Sequence, residues 1–146
     1  LLRGSGGMAA AVAGAFYDTG FRAGTIIARN EDAGTALAHK YGYAWVPEPG
    51  DLRAPVIVNV TPIGMSGGAE SEQLAYPQST IEAASVVFDV VAVPVETPLI
   101  RAARAAGREV ITGGEVIALQ AAEQFRLYTG VTLSPDDIAQ AEAQAN

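Results

Sequence analysis

The chain has 146 residues, of which 49% are hydrophobic and 17% are charged. This composition argues for one packed globular domain and against disorder. A net charge of −7 disfavours nucleic acid as the main partner, and the lack of cysteine excludes disulfides, thiolate metal sites and cysteine nucleophiles. Without a signal-peptide pattern or an apolar run of the roughly 18 residues that a membrane helix needs, the default expectation is a soluble cytoplasmic protein that does not bind membranes.

The chain opens with Leu1, Leu2 and Arg3, which run directly into a glycine cluster at residues 4–7. These three residues predict the tail of a buried strand, because such strands usually have about five or six residues. No initiating methionine precedes them. We therefore expect the chain to be a piece of a longer protein.

Helical and strand patterns alternate along the rest of the chain. Helices are predicted over residues 7–18, 31–41, 98–106, 114–128 and 135–145, and strands over residues 25–28, 43–46, 55–60, 86–91 and 109–111. The last helix has a typical start, in which Ser134 provides the cap and Pro135 the first position. The alternation predicts an α/β fold with a Rossmann-type doubly wound parallel sheet in the strand order 3-2-1-4-5-6.

The glycine cluster fits the dinucleotide-binding pattern G-x-G-x-x-G/A through Gly4, Gly6 and Ala9. Gly4 would allow the tight turn, Gly6 the close approach of a pyrophosphate, and Ala9 close packing of helix on strand. The free N–H groups at the start of the helix would face the phosphates. A glycine-rich turn that binds no ligand is the alternative.

Arg29 stands where an NAD-binding unit places a carboxylate, at the end of the second strand. An arginine can bind a 2′-phosphate with charge-assisted hydrogen bonds, so this position favours NADP over NAD. Glu31 and Asp32 follow and weaken the local positive field. The alternative interpretation is a solvated arginine at a strand end.

Other polar or aromatic residues offer weaker candidates for chemistry. His39 and Lys40 are interpreted as solvated helix residues, Asp89 as a hydrogen-bonding structural acid at a strand end, and Trp45 as packing. No cluster of histidine and acidic residues has metal-ligand spacing, so no metal is expected. No serine lies in a nucleophile elbow.

Several segments together resemble the shikimate dehydrogenase family, in its shikimate dehydrogenase-like subgroup. The resemblance covers nearly the whole chain and rests on the glycine turn, on NVTPIGM at 59–65, on Asp89 followed by Pro94 and by TPL at 97–99, and on LQAAEQFRLYTG at 119–130. It implies that the chain is the C-terminal NADP-binding portion of such an enzyme. The cofactor-binding positions that it implies are Gly4, Ser5, Gly6, Gly7, Met8, Ala28, Arg29, Asn30, Thr61, Pro62, Val90 and Gly113.

Gln120 matches the glutamine that hydrogen-bonds a substrate hydroxyl in this family, and a helix-surface amide is its alternative interpretation. The chain departs from the family where Ala92 replaces a tyrosine that touches the substrate, where Ala33 replaces a basic residue, and where the stretch at 113–116 lacks a methionine. The family's catalytic lysine and aspartate belong to the preceding domain. The resemblance therefore implies no catalytic residue in this chain.

The resemblance implies an NADP-binding Rossmann domain at residues 1–113. Residues 114–146 are expected to form helices that return to an absent N-terminal substrate domain, because the apolar residues at 116, 119, 125 and 127 need partners on two sides. The implied reaction is reversible hydride transfer between NADP(H) and 3-dehydroshikimate/shikimate or a related cyclic polyol acid, in aromatic amino acid biosynthesis. A non-catalytic NADP-binding or sensor module is the alternative. Whether the protein forms a homodimer is left open.

Overall fold

The computed structural model describes residues 1–138 and residue 140. Its centre is a six-stranded parallel sheet in the order β3-β2-β1-β4-β5-β6, which confirms the predicted fold and strand order. The strands are β1 (Leu2–Arg3), β2 (Thr25–Ile27), β3 (Ala44–Val46), β4 (Val56–Asn59), β5 (Val86–Asp89) and β6 (Glu109–Ile111). The helices are α1 (Gly7–Asp18), α2 (Glu31–Tyr41), α3 (Gln78–Ala83), α4 (Pro98–Ala105) and α5 (Gly113–Thr129).

The sequence pattern did not predict α3. This helix has six residues, too few for a helical period to stand out. It is held instead by tertiary contacts, because Ile81 is fully buried and the Thr80 hydroxyl donates a 2.8 Å hydrogen bond to the Leu52 carbonyl.

The predicted helix start at Ser134 is present in the structure. The Ser134 hydroxyl donates to Asp137 Oδ2 at 2.6 Å, and the Asp137 N–H donates back to the hydroxyl at 3.2 Å. Residues 135–138 and 140 are helical. The rest of the helix predicted over 135–145 lies outside the described residues.

Both faces of the sheet are covered by apolar side chains. On one face Leu2, Ile26 and Val58 pack against Ala9 and Ala13 of α1 and against Leu37 and Ala38 of α2. On the other face Ile27, Ile57 and Val87 pack with Ile81, Leu99 and Ala103. Successive residues of a strand point to opposite faces, so the continuous apolar runs of β2 and β4 supply both cores.

Helix α5 lies in a different environment from the other helices. Its start is a capping box between Thr112 and Glu115, and Gly113 is its only buried residue. Five large apolar side chains along it are exposed: Ile117, Leu119, Phe125, Leu127 and Tyr128. None of the helices in the described part of the chain is long and apolar enough to cross a membrane.

The packing of α2 on β3 depends on a glycine inside the helix. The Trp45 indole N–H donates a 3.1 Å hydrogen bond to the Ala28 carbonyl, which sets the ring against α2. A Cβ atom at Gly34 would lie 2.3 Å from Trp45 Nε1 and 3.1 Å from the Ala28 Cβ. Trp45 is thus a packing residue, as the sequence suggested, and position 34 has no room for a side chain.

We expect Gly34→Ala to lower the free energy of unfolding by about 1–3 kcal/mol, because the new methyl group must displace the indole. Alanine is otherwise favoured over glycine inside a helix by about 1 kcal/mol, so the sign is opposite to that of helix propensity. Urea unfolding followed by the fluorescence of Trp45, the single tryptophan, measures the change. The control is Ala36→Gly at an exposed position of α2, which should lower the free energy of unfolding only by the difference in helix propensity, about 1 kcal/mol. Stabilisation by Gly34→Ala would contradict the packing argument.

Candidate functional site

A cleft of about 250 Å³ opens at the carboxyl ends of β1, β2 and β4. Its lining contains seven of the residues that the sequence nominated for the cofactor: Gly4, Ser5, Ala28, Arg29, Asn30, Thr61 and Pro62. Arg3, Ile27, Pro47 and Ile63 complete it. In doubly wound sheets this edge, where the strand order reverses between β1 and β4, is where ligands bind.

Gly4 forms the turn that leaves β1. Its φ angle is +133°, and its N–H donates a 2.8 Å hydrogen bond to the Ile27 carbonyl. A Cβ atom here would lie 2.7 Å from the Val60 Cγ2 atom. Both the backbone conformation and the lack of space therefore require glycine.

Gly6 and Gly7 have a different environment. A Cβ atom built on either would meet nothing within 4 Å, so these two glycines leave an exposed stretch of backbone. Gly6 is the N-cap of α1, has no side-chain capping bond, and is followed by a first turn without acidic residues. The first N–H groups of a helix lack intrahelical partners and carry partial positive charge. The start of α1 is thus chemically suited to a phosphate.

Arg29 follows β2, and its side chain is 65% exposed. Both terminal nitrogens of its guanidinium donate to the carboxylate of Glu70, with N–O distances of 3.3 Å. The neighbouring Asn30 is the N-cap of α2, where its Oδ1 accepts the Ala33 N–H at 2.9 Å. The exposed guanidinium can also reach an anion in the cleft.

The turn at Thr61 is built on a buried polar network at the ends of β4 and β5. Asn59 Oδ1 accepts the Thr61 N–H at 3.1 Å and the Thr61 hydroxyl at 2.6 Å. Asn59 Nδ2 donates to Asp89 Oδ1 at 3.0 Å and to the Ile63 carbonyl at 3.2 Å. Asn59 therefore determines where Thr61 and Ile63 stand in the wall of the cleft.

Asp89 is the acceptor at the centre of this network. Its carboxylate accepts the Thr97 hydroxyl at 2.7 Å and the Val91 N–H at 3.1 Å, in addition to the Asn59 amide. Burial raises the pKa of the Asp89 carboxyl, and the three hydrogen bonds counteract part of that rise. With every contact made to structural groups, Asp89 acts as the hydrogen-bonding acid that the sequence suggested.

Val90 and Gly113 lie beside each other, away from the lining of the cleft. A Cβ atom at Gly113 would lie 2.6 Å from the Val90 carbonyl oxygen and 2.4 Å from that of Val91. Glycine thus lets the start of α5 lie directly on the backbone that follows β5. Gln120 is exposed on α5, two helical turns beyond Gly113.

The structure brings the nominated residues together only in part. Gly6, Gly7 and Met8 begin α1 next to the cleft but do not line it, and Val90, Gly113 and Gln120 lie outside its lining. His39 and Lys40 are exposed on α2, as expected of solvated residues. Among residues 1–138 and 140, no group of three or more histidine, cysteine or acidic residues could hold a metal ion.

Two contributors to the site were missed by sequence reasoning. Arg3 lines the cleft, and its guanidinium donates to the Ala75 carbonyl and to Glu48, the latter at 2.7 Å. The position of Arg3 directly before the glycine turn could have indicated that it belongs to the site. Glu70 gave none, because it lies in a connection without periodicity, 41 residues from Arg29.

Comparison with known proteins finds close relatives over the whole chain. The chain is 52% identical over 145 residues to a shikimate dehydrogenase-like protein of Haemophilus influenzae (strain ATCC 51907 / DSM 11121 / KW20 / Rd), covering 99% of this chain and 54% of that protein. The chain thus spans about half the length of the curated relatives it matches, corresponding to their C-terminal half. No protein-family model matches the chain.

Solved structures have the same architecture. A shikimate 5-dehydrogenase-like protein superposes with a TM-score of 0.93 at 52% identity, covering 97% of this chain and 53% of that one. Shikimate 5-dehydrogenase from Thermus thermophilus, solved in complex with NADP(H) and shikimate, gives a TM-score of 0.85 at 30% identity. That match covers 99% of this chain and 54% of the other.

The network around Asp89 gives a stability prediction. Asp89→Ala leaves the Thr97 hydroxyl and the Val91 N–H without their acceptor and removes one of the acceptors of the Asn59 amide. Since one buried unsatisfied group costs about 1–3 kcal/mol, we expect a loss of about 3 kcal/mol or more in the free energy of unfolding at pH 7. Asp89→Asn keeps Oδ1 as an acceptor and should lose less, which denaturant unfolding followed by Trp45 fluorescence can measure.

The pH dependence of the same pair of proteins, wild type and Asp89→Asn, tests the raised pKa. A folded-state pKa above the ordinary value of 3.8 means that the folded protein binds the proton more tightly than the unfolded chain. The stabilisation from the Asp89 carboxyl is fully present below pH 3.8, and it is lost as the pH rises through the folded-state pKa. Wild type should therefore lose stability relative to Asp89→Asn as the pH rises through the acid range. A relative gain over that range would show that the pKa is lowered instead.

Proposed function

The chain belongs to the shikimate dehydrogenase-like family, and from this membership we propose that it is the NADP-binding part of an oxidoreductase. The proposed reaction is reversible hydride transfer between NADP(H) and 3-dehydroshikimate/shikimate or a related cyclic polyol acid. The observation that carries the proposal is the cleft at the switch point of the sheet, which is lined by Gly4, Arg29 and Thr61.

The residues around this cleft fit the cofactor. In our proposal the backbone at residues 4–8 and the uncapped start of α1 hold the pyrophosphate, since exposed glycine backbone and free N–H groups suit that anion. Thr61 and Pro62 line the turn against which the cofactor lies. Val90 and Gly113, which are in contact, lie beside the nicotinamide. NADP supplies or accepts the hydride when bound, and the chain's own task is to bind and orient it.

The choice of NADP over NAD rests on the end of β2. The exposed Arg29 can bind a 2′-phosphate with charge assistance, whereas an NAD site places a carboxylate there for the ribose 2′-hydroxyl. Ala28 and Asn30 flank it, and Asn30 also starts α2 by accepting the Ala33 N–H. We propose that Ala28, Arg29 and Asn30 form the 2′-phosphate side of the site.

The substrate side of the site is proposed to lie between this chain and a preceding domain. Residues 1–113 form the NADP-binding unit in this proposal, and the helices of 114–146 pack against the preceding domain. The exposed apolar residues of α5 support such a contact. It would place Gln120 near a substrate hydroxyl and leave proton transfer to a lysine and an aspartate of the preceding domain. We also propose a cytoplasmic location and a place in aromatic amino acid biosynthesis.

A non-catalytic NADP-binding or sensor module is the second candidate. Its support is that Lys40, the single lysine, is exposed on α2, and that Ala92 stands where the family has a substrate-contacting tyrosine. An assay of NADPH formation with shikimate and with quinate, using the protein that includes the region before Leu1, separates the two. Turnover with either compound identifies the enzyme, and NADP binding without turnover identifies the sensor.

We expect Arg29→Ala to weaken NADP binding by about 1.5–3 kcal/mol and to leave NAD binding nearly unchanged, because one charge-assisted contact to the 2′-phosphate is lost. Titration calorimetry with both cofactors measures this. Arg22→Ala is the matched control, since Arg22 is also exposed but precedes β2 instead of following it. Equal losses for NADP and NAD would remove Arg29 from the 2′-phosphate site.

We expect Gln120→Ala to raise KM or lower kcat for the cyclic polyol while leaving NADP affinity unchanged, in the protein that includes the preceding domain. Gln124→Ala, at another exposed position of α5, is the control. The 146-residue chain alone should bind cofactor without turnover. Shikimate oxidation by this chain, purified free of the parent enzyme, would contradict the two-domain proposal.

A further inference from the structure

We propose that Glu70 sets the cofactor selectivity of this site by competing with the 2′-phosphate of NADP for the Arg29 guanidinium. The inference rests on the proposed NADP site and concerns how strongly that site distinguishes NADP from NAD. Glu70 reduces the preference for NADP that Arg29 alone would give.

The Glu70 carboxylate contacts the Arg29 guanidinium in the way that a phosphate would. The two terminal nitrogens of Arg29 each donate to one carboxylate oxygen of Glu70, with both N–O distances at 3.3 Å. Planar guanidinium groups bind carboxylates and phosphates in this same two-pronged way. The Glu70 carboxylate therefore occupies donors that a 2′-phosphate would use.

The backbone of Glu70 is held next to Arg29 by two hydrogen bonds. Its carbonyl accepts the Gly64 N–H at 3.0 Å and the Gln73 N–H at 3.1 Å. Gly64 is buried, and a Cβ atom there would lie 3.3 Å from both Thr97 and Pro98. The Glu70 side chain is accordingly only 29% exposed, against 65% for Arg29. The acid lies behind the lining of the cleft, in contact with Arg29, and the arginine is the more exposed partner.

The rest of the connection between β4 and α3 is hydrogen-bonded to the sheet and to the segment that follows β5. The Ser66 N–H donates to the Val93 carbonyl at 2.9 Å, and the buried Tyr76 hydroxyl donates to the Val58 carbonyl at 2.7 Å. The Arg3 guanidinium donates to the Ala75 carbonyl. The backbone that carries Glu70 is therefore fixed close to Arg29, and its carboxylate stays within side-chain reach of a phosphate bound there.

The local charge balance makes this competition important. Arg29 is followed by Asn30, Glu31 and Asp32, and position 33 is alanine. Two arginines line the cleft, and each already has a carboxylate partner: Arg3 pairs with Glu48 and Arg29 with Glu70. A 2′-phosphate at the end of β2 must therefore bind a cation that a carboxylate already contacts. NAD has only a hydroxyl at this position, so it can bind while the Arg29–Glu70 pair stays intact. Glu70 thus weakens NADP binding and leaves NAD binding largely unaffected.

The experiment compares Glu70→Gln with wild type in titrations with adenosine 2′,5′-bisphosphate and adenosine 5′-monophosphate, two probes that differ only by the 2′-phosphate. Because exposed ion pairs are weak, we expect the variant to bind the bisphosphate about three- to five-fold more tightly and the monophosphate within about two-fold of wild type. NADP and NAD should follow the same pattern. The gain should shrink at high salt, where charges are screened.

Two controls isolate the charge of Glu70. Glu72→Gln makes the same change in charge on the same connection, at a side chain that is 88% exposed and lies near Arg101, and should leave both affinities unchanged. In an Arg29→Ala background, Glu70→Gln should lose most of its effect, because the contested cation is gone.

The opposite result has a clear meaning. Weaker binding of the bisphosphate to Glu70→Gln would show that Glu70 orients Arg29 for the phosphate, and an unchanged affinity would show that the pair plays no part in selectivity. Either outcome overturns the inference while the NADP site stands. Failure of the wild-type chain to bind any of the four ligands would instead overturn the proposed function.

Discussion

The buried hydrogen-bond network of Asn59, Asp89 and Thr97 is the constraint on which the carboxyl edge of the sheet depends. Asn59 ends β4, Asp89 ends β5, and Thr97 is the N-cap of α4, where its hydroxyl also accepts the Ile100 N–H at 3.2 Å. All three side chains are fully buried, so each polar atom needs a partner inside the protein. Satisfying them ties two strands and a helix together and leaves the turn at Thr61 facing the cleft.

Small residues determine how closely the elements around this edge can approach one another. Gly4 passes against Val60, Ala9 and Ala13 let α1 lie on the sheet, and Gly113 rests on the backbone after β5. In each place a larger side chain would push an element away from its neighbour. Residues 6–8, which follow the buried Gly4, are exposed, so a phosphate group can reach their backbone. Close packing therefore depends on Gly4 and Gly113, and ligand access on Gly6 and Gly7.

Local charge at the cleft differs from the charge of the molecule as a whole. The chain carries a net charge of −7, which opposes the approach of any anion at long range. At the cleft, however, the start of α1 lacks acidic residues and the Arg29 guanidinium is exposed. Short-range hydrogen bonds to a phosphate are little affected by distant screened charges. The charge that does matter is that of Glu70, because it is in direct contact with the arginine.

The sequence by itself determined the fold and the core of the candidate site. Hydrophobic periods and glycine positions predicted ten of the elements close to their observed bounds and the strand order, and the pattern at 4–9 with Arg29 located the cleft. These features are local, since a strand, a helix start or a tight turn is specified by residues within a few positions of each other. The family resemblance added Thr61 and Pro62, which the structure places in the same cleft.

Only the tertiary structure decided which distant residues meet. Helix α3 forms because Ile81 is buried and Thr80 reaches Leu52, and no pattern within its six residues predicts either contact. The pairing of Glu70 with Arg29 depends on the path of an irregular connection whose course is set by Gly64. Such contacts join residues far apart in sequence, and they exist only once the sheet has brought the ends of its strands to one edge.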